Sequence, residues 1–140
     1  MQASISLIHR IFDLAFNQGD LDVIDELVAE KDVNQVFRWG MPAGRLGLKQ
    51  LITAYRIGFP DLHCTIEDEI DIGDRSAVIW TMRGTHEGLF MGNPPTGRQV
   101  EIRGIIFART ANGRIIEDWT LVDQMGTLQQ LGIVPPSSGH

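Results

Sequence analysis

Apolar residues change their spacing once along this chain, near Leu62, and the change divides it into a helical part and a strand part. Ile5, Ile8, Ile11, Phe12, Ala15 and Phe16 recur at the spacing that gathers side chains on one face of a helix, and Asn17-Gln18-Gly19-Asp20 then breaks the pattern. Asp20 is placed to cap a second helix carrying Leu21, Ile24, Leu27 and Val28. Residues 33–39 read as a short extended segment, and Gly40-Met41-Pro42-Ala43-Gly44 as a loop. Leu48, Leu51, Ile52 and Tyr55 mark a third helix ending near Gly58 and closed by Pro60. Beyond it the period becomes two: Leu62, Cys64, Ile66, Ile70 and Ile72 alternate with His63, Thr65, Glu67, Glu69 and Asp71, and only Asp68 breaks the alternation.

Gly73-Asp74-Arg75-Ser76 reads as a turn, residues 77–85 and 100–109 as strands, Asn112-Gly113 as a hairpin turn and residues 114–122 as the last strand. Asp123 is placed to cap a short closing helix over residues 124–131. Helices followed by consecutive strands predict an α+β domain in which a curved, mostly antiparallel sheet wraps around the helices. Residues 1–134 are expected to form one domain, with 135–140 as a flexible tail. Parity sorts the last strand into two faces: Ile116, Asp118, Thr120 and Val122 on one, Ile115, Glu117, Trp119 and Leu121 on the other.

Composition narrows the function. A chain of 140 residues, 43% hydrophobic and 21% charged, is long enough to bury a core. A net charge of −6 with no cluster of Lys and Arg argues against a nucleic-acid partner. No apolar run is long enough for a membrane span, and Met1-Gln2-Ala3-Ser4 lacks the features of a signal peptide, so a cytoplasmic location is expected. Cys64 is the only cysteine, and His9, His63, His86 and His140 include no pair at metal-ligand spacing. Neither a glycine-rich nucleotide loop nor a nucleophile elbow is present, so neither metal nor cofactor is expected.

Three stretches carry a resemblance. These are Phe59-Pro60-Asp61-Leu62, the segment Gly84-Thr85-His86-Glu87-Gly88-Leu89-Phe90-Met91-Gly92-Asn93-Pro94-Pro95-Thr96-Gly97-Arg98, and Asp123-Gln124-Met125-Gly126-Thr127-Leu128-Gln129-Gln130-Leu131-Gly132. Together they resemble the SnoaL-like polyketide (ester) cyclases of the nuclear transport factor 2 and ketosteroid isomerase superfamily, over residues 5–132. The resemblance implies a cone-shaped fold, a hydrophobic small-molecule substrate, no cofactor, and a homodimer. In that family the last strand ends approximately Glu-His-Trp-Asp, with the Asp as acid/base; here it reads Glu117-Asp118-Trp119-Thr120. The family's glutamine and histidine on the neighbouring strand correspond to Gly104 and Ile106, both unable to transfer protons. Asn34 matches a family asparagine and is the candidate donor to an oxyanion.

Thr120 faces the pocket by this resemblance, and strand parity puts Asp118 on the same side. A carboxylate in an apolar cone is costly to ionise and is suited to shuttling a proton near neutral pH. Asp118 is therefore the expected acid/base, with Asn34 assisting and Thr120, Ile106, Gly104, His86, Met91, Phe90, Tyr55 and Trp39 as candidate substrate contacts. Arg38 is a further candidate at the mouth, and His86 suits a role in pinning its loop. The opposite face carries Arg103, Ile105, Phe107, Trp119 and Leu121, and its apolar groups need cover, which a second subunit would supply. The readings left open are a cyclase or isomerase using Asp118, an epoxide-opening or pyran-forming cyclase, and a non-catalytic binding or dimerisation module.

Overall fold

The computed structural model describes residues 6–34, 42 and 44–135, and for 31–34 the backbone alone. Helix α1 (Leu7–Ile11) starts at Ser6, whose hydroxyl accepts the His9 amide, and continues as a π-helical turn, Phe12–Phe16. Helix α2 (Asp22–Leu27) has Leu21 as its capping residue; Asp20 instead accepts the Asp22 amide, one residue too early to act as the cap. Val28, assigned to that helix by its apolar spacing, begins strand β1 (Val28–Asn34), which thus lies earlier than the expected extended segment. Residues 35–39 of that segment, including Arg38 and Trp39, fall outside the described residues. Helix α3 (Gly44–Gly58) buries Leu48, Ile52 and Tyr55 at helical spacing.

Strands β2 (His63–Asp71), β3 (Arg75–Thr85), β4 (Gln99–Ala111) and β5 (Arg114–Val122) follow, then helix α4 (Gln124–Gln130). They form one open five-stranded sheet in the order β1-β5-β4-β3-β2, antiparallel except for the parallel pair β1 and β5. The expected α+β architecture is present, but the sheet is open, with β1 and β2 at its edges. Asn112 and Gly113 both adopt positive φ (54° and 75°), the geometry of the tight hairpin turn between β4 and β5. Asp123 caps α4, its carboxylate accepting the Gly126 amide at 2.9 Å.

Two register shifts change which residues face inward. In β2, Ile66 pairs with Trp80 but Asp68 pairs with Ile79, so the extra residue between them reverses the alternation. Ile70 and Ile72, expected inside, are each 64% exposed, while Glu69 turns toward α1. In β5, Glu117 pairs with Arg109 and Ile115 with Thr110, leaving Ile116 as the extra residue. Ile115 therefore enters the core and Ile116 turns outward, the reverse of strict parity.

Side-chain amides finish the sheet where strands are missing. Asn17 donates to the Cys64 carbonyl at 3.0 Å and accepts its amide at 2.7 Å, imitating a neighbouring strand along β2. Gln130 does the same to Glu101 of β4, at 2.8 and 2.7 Å, beyond the point where β5 ends. Satisfying edge groups in this way also ties both helical ends to the sheet.

Candidate active site

The inner face of the sheet and α1, α3 and the π-helical turn enclose a cavity of about 60 Å³. Apolar groups dominate its wall: Phe12 and Phe16 from the π-helical turn, Leu51 and Tyr55 from α3, Trp80 and Met82 from β3. Asp118 and Thr120 of β5 interrupt that lining. The register explains why a carboxylate fits there. Asp118 lies opposite Ala108, whose small side chain leaves space beside it, and Thr120 lies opposite Ile106. Asp118 is 4% exposed, and the Thr120 hydroxyl donates to its Oδ2 at 3.0 Å. On the other side of β5, the Asn34 backbone pairs with Asp118 in the parallel ladder.

Four residues along β4 from Ala108, past Ile106, β3 and β4 show a steric arrangement that the sequence did not suggest. A Cβ on Gly104 would lie 2.2 Å from Cζ2 of Trp80 and 2.7 Å from the Leu121 carbonyl oxygen. Gly104 therefore contributes no wall of its own; its missing side chain is the space in which the Trp80 indole lies. Trp80 also packs on Phe12, with ring centroids 5.4 Å apart.

This arrangement, a five-stranded sheet folded over three helical segments around one apolar cavity, coincides with a family match. The profile of the SnoaL-like polyketide cyclase family fits residues 6–131. The chain belongs to that family. Among solved structures it is similar to IdmH of Streptomyces antibioticus, a candidate polyketide cyclase, at 36% identity over 90% of this chain and 96% of that one, with a TM-score of 0.77. A candidate polyketide cyclase from Bacillus cereus shares 27% identity over 91% and 79% of the two chains, with a TM-score of 0.79. AclR of Streptomyces galilaeus, a candidate hydroxylase, shares 26% identity over 93% and 81%, with a TM-score of 0.78. Among curated proteins no match is found.

Within this SnoaL-like fold the other expected contacts fall in two places. Tyr55, Ile106 and Thr120 line the cavity together with Asp118. His86, Phe90 and Met91 do not; they belong to the loop between β3 and β4, which docks on the C-terminal end of α3. Gly58 of α3 receives the amides of Glu87 and Gly88, and a Cβ on Gly88 would strike the Ile57 carbonyl oxygen at 2.0 Å. Phe90 packs its ring at a tilt against Tyr55 and Phe59, with centroids 5.1 and 5.0 Å away, so it supports the pocket wall from behind. Met91 takes a positive φ of 49° at the tip of the tight turn from Phe90 to Asn93.

His86 is fully buried against Phe59. Its Nδ1 faces the Thr96 amide at 3.3 Å and the Thr96 hydroxyl at 3.0 Å. Accepting a backbone N–H requires a lone pair on Nδ1, which puts the ring proton on Nε2 in the neutral form. The imidazole thereby pins the loop, as its place in the motif suggested. Cys64 is inert for a different reason: burial raises its thiol well above the ordinary range. Among the described residues no group of three or more His, Cys, Asp or Glu side chains could hold a metal ion. No helix among them is long and apolar enough to cross a membrane.

Proposed function

We propose that the protein is a cofactor-free cyclase of a hydrophobic, polyketide-type intermediate, with Asp118 as the proton-transfer group. The observation that supports this most is a buried carboxylate on the wall of an apolar cavity, hydrogen-bonded by Thr120 from the position where the family carries its acid. As a carboxylate, Asp118 can take a proton from a carbon next to a carbonyl. The resulting enolate attacks a second carbonyl of the same chain, a carbon–carbon bond forms, and the proton returns from Asp118 to the new alkoxide. Asn34, beside Asp118 in the ladder, is the candidate to stabilise the enolate oxygen. Apolar walls hold the flexible chain in a folded conformer, which by itself lowers such a barrier by several kcal/mol.

About 60 Å³ accommodates on the order of four water molecules, whereas a polyketide-sized ligand needs several times as much. Binding therefore has to move wall residues, with the half-buried Leu51 and Ile106 the readiest to shift. The decisive experiment replaces Asp118 by Asn and measures turnover of a polyketide ester beside a circular dichroism spectrum. A fold kept with turnover reduced by about two orders of magnitude or more supports the mechanism. Full activity would overturn it and leave the apolar template or a binding module.

The same reading includes a homodimer. On the outer face Ile79, Ile105 and Leu121 lie in one row across β3, β4 and β5, and all three are exposed. In the next row Phe107 meets Trp119 at 5.3 Å. An apolar patch of this kind favours cover by a second copy. Light scattering that shows a monomer at micromolar concentration would remove this part. Residues 1–134 acting as one cytoplasmic domain in antibiotic-type polyketide assembly complete the proposal, and a polyketide synthase encoded beside it would support them.

A further inference from the structure

Three buried side-chain atoms have no hydrogen-bond partner among the described residues, Ser76 Oγ, Trp80 Nε1 and His86 Nε2, and of the three residues only Trp80, 2% exposed, forms part of the cavity wall. Native interiors rarely leave such a donor unmatched, because removing an N–H from water without replacing the lost bond is costly. Its placement is also specified by the backbone. Gly104 is the residue opposite Trp80, and any side chain there would occupy the volume of the indole. An apolar side chain of similar size would fill the space without stranding a donor.

We propose that Trp80 Nε1–H is the hydrogen-bond donor that seats an acceptor oxygen, a ketone or ester carbonyl, of an otherwise apolar substrate. The proposal rests on the reading of the cavity as a substrate site and adds a direction to it. Trp80 lies opposite Gly104, and Asp118 lies opposite Ala108, four residues along β4. That separation is on the order of 13 Å of strand. On this reading the seated carbonyl is a second one, distinct from that activated beside Asp118. The substrate class is an extended apolar chain with at least two oxygenated positions, one anchored at Trp80 while another reacts at Asp118.

Indole N–H resonances of nitrogen-15-labelled protein test this directly. The Trp80 signal is identified by its loss in Trp80→Phe and, independently, by elimination using Trp39→Phe and Trp119→Phe. Cyclohexanone and cyclohexane serve as probes of nearly equal shape, one with an acceptor and one without. Cyclohexanone should move the Trp80 indole proton downfield and bind Trp80→Phe about tenfold more weakly than wild type, while cyclohexane binds both alike. If cyclohexanone shifts the methyl groups of Ile106 and Ile115 but leaves the indole resonance in place, the donor role is wrong and the pocket reading survives. If neither probe shifts those methyl groups, the pocket reading falls together with the proposal. Should Trp80→Phe fail to fold, the wild-type indole shift with the two probes still decides.

Discussion

Asp118 and His86 are both buried polar residues, yet their surroundings differ in kind. His86 is enclosed by Phe59 and Phe90, and Thr96 engages its Nδ1, which fixes the ring in one tautomer. Asp118 has a hydroxyl donor on its own strand and a cavity in front of it. One group is enclosed by its neighbours; the other borders the cavity. Burial of a polar side chain is thus weak evidence for chemistry until free space beside it is shown.

The contrast breaks most readily at His86. His86→Ala should destabilise the fold by about 3 kcal/mol, the scale for emptying a packed aromatic-sized site, with chemical denaturation as the measure and probe binding in the cavity unchanged. A loss of binding with stability intact would put His86 on Asp118's side of the comparison. Gly104→Ala should cost about 2 kcal/mol, because the new methyl collides with both Trp80 and the Leu121 carbonyl. Unlike His86→Ala, it should also alter cavity binding, since the indole has to leave its place. A denaturation curve and a cyclohexanone titration on the same variant check both halves.

Thr120→Val sharpens the other side. It keeps the shape at position 120 and removes the donor to Asp118, so turnover should fall by about tenfold while the denaturation midpoint moves little. The smallest effect concerns Glu69, a polar group of the holding kind. Burial raises its carboxyl, but bonds from the Ser6 hydroxyl and the His9 ring outweigh that and hold it below the ordinary 4.5. A carboxyl lowered in the folded state contributes its stability above 4.5 and loses it as pH falls through the folded value. Wild type should therefore lose stability below about pH 4.5 more steeply than Glu69→Gln, as read from denaturation midpoints between pH 6 and 3.

Much of the fold was legible in the chain. The change of period near Leu62, the Asn112-Gly113 turn and the Asp123 cap all correspond to elements that form where local chemistry favours them. The bulges were less visible. Asp68, the one break in the alternation of β2, sits at the first of them and marked it. At the second, Ile115 and Ile116 are identical, so nothing local tells which one faces inward; pairing with β4 decides. Strand parity did put Asp118 on the same side as Thr120, the side the resemblance assigned to the cavity, because both lie beyond that bulge on a regular stretch. Trp80 escaped notice because its significance depends on Gly104, its partner across the ladder, and an empty position says nothing until the neighbour that fills it is seen.

The amide of Asn17 has a consequence for how these molecules behave in company. An open sheet ends in a strand whose free N–H and C=O groups can recruit the same strand from another molecule and begin a chain of copies. On β2, Asn17 already occupies the backbone of Cys64, and the rest of the exposed edge runs through Glu67, Asp68, Glu69 and Asp71. Two such edges brought together would set acidic residues against acidic residues. Self-association by edge pairing is closed at one end by a side chain imitating a strand, and discouraged along the remainder by like charge, so the two exposed isoleucines there can stay in water without seeding a fibre.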